Sequence, residues 1–268
     1  MEIANVWQIL FYRSCALTVF IFTVVTFKSN KKPLAAIRKS GLAAVVGGLS
    51  LVLAFSGGIF AIQSTSVANA MFLFASAPFI AAFLGWVLLK ETVDARTWTA
   101  MALAFLGIAI MVGEGVSIGK GAGNLAAIMS AVGFASFTVA LRWGKVNDMM
   151  PTVLIAGIFA IMFSALICIF KSYSLAIPLN DLIISIILGF FQVGLGLSLY
   201  TLGSKSVPAV QAALLSMTEV ILGPFWVWLF LGETPLFYTI LGGTILMLAL
   251  IGNAVSSWTT SSGNAIRF

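Results

Sequence analysis

Long runs of apolar residues, separated by short polar segments, dominate the chain. Runs of about 20 residues cross roughly 30 Å of hydrocarbon as a helix that rises about 1.5 Å per residue. These runs are apolar on every side, whereas a strand of a membrane barrel alternates apolar and polar residues. The pattern predicts nine membrane-spanning helices, near residues 5–27, 42–61, 67–89, 98–112, 124–142, 152–170, 182–202, 210–231 and 236–254.

The composition agrees with this pattern. Hydrophobic residues make up 61% of the chain, charged residues only 8%, and the mean hydropathy is +1.12. A soluble fold could not hide this much apolar surface from water. We therefore expect an all-α, polytopic membrane protein. We expect no cleavable signal peptide, because residues 1–6 carry no basic segment and no small-residue cleavage site follows.

Basic residues in the loops predict the orientation of the spans. Lys and Arg concentrate on the cytoplasmic side, and the segment "KSNKKPLAAIRKS" carries five of them. With that segment inside, only Arg13, Lys120 and Lys171 remain outside, the N-terminus lies outside and the C-terminus is cytoplasmic. The expected location is a bacterial inner (plasma) membrane. The net charge of +6 then reflects contact with membrane lipid, and we expect no nucleic-acid partner.

One apolar segment occurs twice in similar form, as "MFLFASAPFIAAFLGWVLLKE" and as "LLSMTEVILGPFWVWLFLGE". Aligning Glu91 with Glu233 superposes Trp86 on Trp228, and each copy contains an internal proline. Self-similarity at large spacing indicates a duplicated architecture. The loop charges place Glu91 inside and Glu233 outside, which is the inverted-repeat arrangement of secondary transporters.

These segments resemble the EamA family of the drug/metabolite transporter superfamily. The resemblance is carried by "TSVANAMFLFASAPFIAAFLGWVLLKE", "GAGNLAAIMSAVGFASFTVALRWGK" and "VQAALLSMTEVILGPFWVWLFLGE", and by a glycine-containing last span in both halves. It implies two five-helix repeats and transport of amino acids, their derivatives or other small metabolites. "VWQILFYRS" resembles the start of the family's second helix, so one helix is missing.

The expected organisation is therefore four plus five helices. The first, N-terminally incomplete repeat covers residues 1–113, the second covers 119–256, and residues 257–268 form a cytoplasmic tail. Under this hypothesis Met1 is an internal or mis-called start.

Glu219 is the main candidate for a functional residue. It lies in the middle of the eighth span, where ionising a carboxylate is expensive unless it faces water, a cation or a substrate amine. The functional interpretation is a substrate or proton-coupling site. The structural alternative is a protonated glutamate hydrogen-bonded to a neighbouring helix.

Other polar residues in or beside the spans form a second set of candidates. Asn69 and Gln63 flank the predicted outer entry of the first repeated segment, and Gln192 and Tyr200 lie eight residues apart in one span. Each could bind substrate or another helix. Arg13 could extend to the membrane surface, or could face a cavity and favour anionic or zwitterionic solutes.

Two prolines and a stripe of small residues suggest features of helix packing. Pro78 and Pro224 remove backbone donors within spans and are predicted to kink them. A small-residue stripe lies on the fifth span and could serve packing within the chain or a homodimer interface. Its members are Ala127, Ala131 and Ala135.

Other chemistry is poorly supported. The chain contains no histidine, and Cys15 and Cys168 lie within spans, so we expect no metal ion and no cofactor. The glycine-rich "GEGVSIGKGAGN" lacks the spacing of a phosphate-binding loop. An intramembrane enzyme would need paired acids or a metal site.

The sequence therefore predicts a secondary carrier of small polar metabolites, with two repeats rocking around a central site and Glu219 titrating with protons. A passive channel and a truncated, non-transporting membrane protein are the alternatives.

Overall fold

The computed structural model describes residues 4–28, 33–90, 95–117, 120–144, 149–203, 226, 228–230, 232 and 236–265. Regular structure in these ranges is helical. The helices are α1 Val6–Lys28, α2 Pro33–Ser64, α3 Val67–Phe74, α4 Ala77–Leu89, α5 Ala95–Ser117, α6 Gly121–Trp143, α7 Met150–Phe170, α8 Leu179–Ile187, the π-helical segment Leu188–Leu195, α9 Gly196–Gly203 and α10 Phe237–Ala265.

The helices have the length and composition of membrane spans. Six stretches of the described chain are long and apolar enough to cross a bilayer, and two shorter apolar helices, Ala95–Ile110 and Phe237–Asn253, accompany them. The predicted all-α, polytopic membrane fold is confirmed. The predicted span 210–231 lies almost wholly outside the described residues. The six long spans are Val6–Lys28, Leu34–Ser64, Asn69–Leu89, Gly121–Trp143, Met150–Phe170 and Leu179–Gly203.

Helix α2 begins nine residues before the predicted span, at Pro33 rather than at residue 42. The extension is separated from the rest of α2 by Gly41, whose backbone has φ 67° and ψ −160°. This left-handed φ is accessible to glycine at little cost. The apolar pattern missed the extension because Arg38 and Lys39 interrupt it.

Two predicted single spans are irregular in the structure. The third span is divided at Ala75 and Ser76 into α3 and α4, and Pro78 occupies the start of α4, where its missing N–H is tolerated. The seventh span contains the π-helical segment Leu188–Leu195 between α8 and α9. Apolar periodicity does not distinguish these irregular turns from continuous α-helix.

The chain divides into two compact units, and each takes residues from both halves of the sequence. Unit 1 comprises Met1–Ile59 and Ser136–Ser206, and unit 2 comprises Phe60–Ala135 and Val207–Phe268.

In unit 1, α1 packs antiparallel to α7. Trp7 meets Phe163 edge to face with ring centroids 5.8 Å apart, and Leu10 packs in the core with Ala160 and Val52. The residue numbers on α7 fall as those on α1 rise, which sets the antiparallel direction.

In unit 2, α5 packs antiparallel to α10. The Thr97 hydroxyl donates a 2.9 Å hydrogen bond to Asn253 Oδ1 near one end of the pair. Farther along, a Cβ added to Gly107 would lie 2.5 Å from the carbonyl oxygen of Gly242, so the two backbones touch. Small residues permit such close approach between helices in membranes.

The small-residue stripe of α6 is buried within the chain. The exposed fractions of Ala127, Ala131 and Ala135 are 0%, 2% and 1%. Ala127 packs in a core cluster with Ala61, Ala70 and Leu73. Packing within the chain therefore accounts for the stripe.

Candidate functional site

The start of α1 is defined by a reciprocal capping interaction. Asn5 Oδ1 accepts hydrogen bonds from the backbone N–H groups of Trp7 and Gln8, at 3.0 and 3.1 Å. The Asn5 N–H donates in return to Gln8 Oε1 at 2.9 Å. This arrangement satisfies donors at the helix start that would otherwise lack partners.

The same end of α1 is attached to the segment that connects α7 with α8. The Gln8 side-chain amide donates to the carbonyl of Ser174, and the Tyr12 hydroxyl donates to the carbonyl of Leu175 at 2.6 Å. The buried Asp181 Oδ2 accepts a 3.0 Å hydrogen bond from the Ala4 N–H. These bonds orient α1, and the sequence analysis missed Asp181 because it precedes the predicted span.

Arg13 directly follows Tyr12 on α1. Its guanidinium carbon is positioned 5.2 Å from the ring centroid of Phe55, a residue of α2. The Arg13 side chain is half-buried, and no ion pair is found for it among the described side chains. A cation–π contact contributes about 0.5–2 kcal/mol. Complete burial of a charge costs several kcal/mol, and the cost is smaller for the half-buried Arg13.

The π-helical segment packs against α1 at the level of Arg13. A Cβ added to Gly189 would collide with the Arg13 carbonyl oxygen and would lie 2.8 Å from Ala16 Cβ. The rings of Phe20 and Phe190 meet with centroids 4.7 Å apart. Gln192 belongs to this segment, and its side chain is exposed. We call Arg13, Phe55 and Gly189 the arginine corner.

Tyr200 follows in α9 and is half-buried. Its hydroxyl lies 3.3 Å from that of Thr138 on α6, and its ring centroid lies 6.4 Å from that of Phe137. In the same unit, the hydroxyl of Thr152 is buried without a partner among the described residues, and so is that of Ser198. Tyr200, one of the predicted residues, thus carries one of several hydroxyl groups that α6, α7 and α9 contribute to this unit.

Asn69 is part of a buried polar cluster in unit 2, with Thr65 and Asn124. Asn124 Oδ1 accepts hydrogen bonds from the Thr65 hydroxyl at 2.8 Å and from the Asn69 side-chain amide at 2.5 Å. Asn69 Oδ1 is buried and has no hydrogen-bond partner among the described residues. We call these three residues the amide cluster; the sequence analysis identified Asn69 but not its partners.

The backbones of the amide cluster approach closely. A Cβ added to Gly123 would lie 2.7 Å from the carbonyl carbon of Ser64 and 2.8 Å from the amide nitrogen of Thr65. The cluster therefore joins the α2–α3 connection to the first turn of α6. Ser66 caps α3, since its hydroxyl accepts a 3.2 Å hydrogen bond from the Asn69 N–H.

The remaining predicted residues either are exposed or lie outside the described residues. Gln63 is exposed in the last turn of α2, and Pro78 is exposed at the start of α4. Glu219 and Pro224 lie outside the described residues. Across the described ranges, no group of three or more His, Cys, Asp or Glu side chains is arranged to hold a metal ion.

The described candidates fall in two units. Arg13, Gln192 and Tyr200 belong to unit 1, whereas Asn69 and Gln63 belong to unit 2. Arg13, Asn69 and Tyr200 each contact a separate helix of their own unit.

Comparison with known proteins identifies relatives along most of the chain. Solute carrier family 35 member G1 of Homo sapiens is 25% identical over 237 residues, which cover 82% of this chain and 63% of that protein. The chain thus spans less than two thirds of the human relative. A crystal structure of a protein with 15% sequence identity matches with a TM-score of 0.65, covering 94% of this chain and 88% of that chain. That likeness shows the fold.

The model of the EamA-like transporter family matches residues 1–113 and 121–255. Together these ranges contain α1 to α4, α6 to α9, most of α5 and the apolar part of α10. The chain therefore belongs to the EamA-like transporter family and is an integral membrane protein.

Proposed function

We propose that this chain is a secondary transporter that moves a small polar metabolite, an amino acid or a related compound, out of the cell by alternating access. Membership of the EamA-like transporter family supports the general activity. The similar human protein is named as a solute carrier, and the proposal extends that class of activity to this chain.

The antiparallel helix pairs carry the proposed mechanism. Helices α5 and α10 are the last spans of the two predicted repeats, and α1 and α7 are the second spans of the family's five-helix unit. In an inverted repeat, equivalent helices cross the membrane in opposite directions. The antiparallel packing of α1 with α7 and of α5 with α10 supports this inverted four-plus-five organisation.

The repeats we propose are residues 1–113 and 119–256. The family model matches the chain in two segments, 1–113 and 121–255, which supports this division. An inverted pair of repeats favours a site near the bilayer midplane, exposed to each side in turn.

Glu219 is our candidate for proton coupling. A carboxylate in the middle of a span can take up a proton on one side of the membrane and release it on the other. Arg13, Gln192, Tyr200, Asn69 and Gln63 are the candidates for substrate contacts. We place the N-terminus outside and the C-terminus in the cytoplasm of a bacterial inner membrane.

Metabolite profiling tests the function. Cells that express the chain are compared with cells that express Glu219→Gln at equal membrane abundance, and metabolites are measured inside and in the medium. Glu233→Gln is the matched control, because that glutamate follows the predicted span 210–231 instead of lying within it. We expect a small polar metabolite to move into the medium with the intact chain and the control. With Glu219→Gln, its export should no longer respond to a pH gradient.

Two outcomes would contradict the proposal. If the inserted protein redistributes no metabolite, the chain is a non-transporting member of its family. If flux rises linearly with solute concentration and does not respond to a pH gradient, a passive channel explains it better.

A further inference from the structure

We propose that Arg13 binds the carboxylate of the transported solute, so that the substrate is a small carboxylate-bearing anion or zwitterion. This inference rests on the proposed transport function. It assigns a ligand chemistry to the arginine corner, which is formed by Arg13, Phe55 and Gly189.

The depth of the guanidinium is the first observation. Arg13 comes seven residues after the start of α1 at Val6, or about 10 Å along the helix at 1.5 Å per residue. Phe55 comes nine residues before the end of α2 at Ser64, or about 13 Å. Because the guanidinium contacts Phe55, it extends sideways to α2 instead of rising to a helix end, as snorkelling would require.

The charge balance around Arg13 is the second observation. Among the described residues of unit 1, the acidic side chain is that of Asp181. Its Oδ2 accepts the hydrogen bond from the Ala4 N–H. The guanidinium has no ion pair among the described side chains and rests on the Phe55 ring. A partly buried cation in this position favours an anion from outside the protein.

The backbone at the same level of α1 is the third observation, and it is independent of the charge. The π-helical segment approaches so closely at Gly189 that a Cβ there would collide with the Arg13 carbonyl oxygen. π-Helical turns inside helices occur frequently at functional sites. A cation without an ion pair among the described side chains and a close backbone contact with the π-helical segment therefore occur at the same position of α1.

The chemistry of the guanidinium selects the ligand. Contact between its charge and an aromatic ring does not use its N–H donors, which lie in a fixed fork. That fork matches a carboxylate through two parallel hydrogen bonds. A phosphate group offers similar oxygens, so the experiment includes inorganic phosphate and anionic lipid.

Ligand binding to the purified chain tests the site without requiring transport. The protein is placed in nanodiscs of neutral lipid, and its thermal unfolding midpoint is titrated with glutamate, succinate, their methyl esters and inorganic phosphate. We compare Arg13→Gln and Arg13→Lys with Lys171→Gln, which removes an exposed cation after α7.

We expect at least one free carboxylate, but neither ester, to raise the midpoint in the wild-type chain and in Lys171→Gln. Loss of a charge-assisted pair should weaken apparent affinity about tenfold to a hundredfold in Arg13→Gln. Arg13→Lys should be intermediate, since lysine keeps the charge but not the fork.

Three results would overturn the inference. In the first, carboxylates raise the unfolding midpoint of the wild type and of Arg13→Gln equally. In the second, neither carboxylate raises the midpoint. In the third, only phosphate or anionic-lipid nanodiscs change the midpoint in a way that depends on Arg13.

Comparison with cellular flux separates the two proposals. If carboxylate binding depends on Arg13 but no metabolite flux is measured, the proposed carboxylate site is supported and the proposed transport function is refuted. If metabolite flux is unchanged in Arg13→Gln, the proposed transport function is supported and the proposed carboxylate site is refuted.

Discussion

The arginine corner of unit 1 and the amide cluster of unit 2 use buried polar groups in opposite ways. Asn124 accepts hydrogen bonds from Thr65 and Asn69, so three neutral side chains satisfy most of one another's requirements. Arg13 carries a full charge and meets an aromatic ring, with no ion pair among the described side chains. Apart from Asn69 Oδ1, which has no hydrogen-bond partner among the described residues, the polar atoms of the first arrangement are largely satisfied, whereas the charge of the second has no ion pair among the described side chains.

This difference distinguishes the two regions more clearly than the residue types do. Both regions contain a glycine that lets backbones meet, Gly123 in one and Gly189 in the other. In the amide cluster, close approach brings hydrogen-bonding partners together. In the arginine corner, it places the π-helical segment beside a cation that has no ion pair among the described side chains.

Replacement of Gly123 by alanine should have the largest effect on stability. Its Cβ would lie 2.7 Å and 2.8 Å from backbone atoms of Ser64 and Thr65, which cannot rotate away. We expect a loss of about 2–3 kcal/mol in the free energy of unfolding, measured by SDS titration of the purified protein. Gly196→Ala is the control, because nothing lies within 4 Å of its added Cβ. It should be neutral or stabilising by up to about 1 kcal/mol; equal losses in both variants would refute the close approach.

Asn124→Ala should have the next largest effect. It removes one acceptor from two donors, the Thr65 hydroxyl and the Asn69 amide. We expect the free energy of unfolding to fall by about 1–2 kcal/mol in the same titration. Buried donors without partners are costly, whereas each hydrogen bond between membrane helices contributes only a modest free energy. Thr65→Val removes only one of these donors and should cost about 0.6 kcal/mol. A loss from Thr65→Val as large as that from Asn124→Ala would show that Asn124 is not the centre of the cluster.

Arg13→Gln should have the smallest effect on stability. The substitution removes a partly buried charge that has no ion pair among the described side chains, so it removes a cost together with the Phe55 contact. In the absence of ligand, the free energy of unfolding should change by less than about 0.5 kcal/mol or should rise. A loss of 2 kcal/mol or more would mean that Arg13 has a structural partner, and the contrast between the two regions would disappear.

Much of the fold could be predicted from the sequence. The membrane class and the positions of most spans follow from apolar runs, because the hydrocarbon thickness sets a minimum helix length. The α2 extension and its turn at Gly41 were missed, because the segment is too polar to count as part of a span. The π-helical segment was missed because its composition does not differ from that of neighbouring α-helix.

Less of the candidate site could be predicted. Arg13 and Asn69 stand out in the sequence as polar residues within or beside apolar runs. Their different surroundings do not, because Phe55 and Asn124 are 42 and 55 residues away along the chain. Glu219, the leading candidate from the sequence, lies outside the described residues and remains a prediction.

The sequence by itself determined that the chain is an all-α membrane protein with duplicated segments, because burial in lipid and helix length act on each run separately. Only the tertiary structure decided which polar groups are satisfied and which helices lie side by side. A partner for Asn69 or Arg13 comes from another helix, and its identity depends on how the whole chain packs. A polar residue that is costly within an apolar run can therefore bind a side chain from another helix, as Asn69 does, or keep its charge without an ion pair among the described side chains, as Arg13 does.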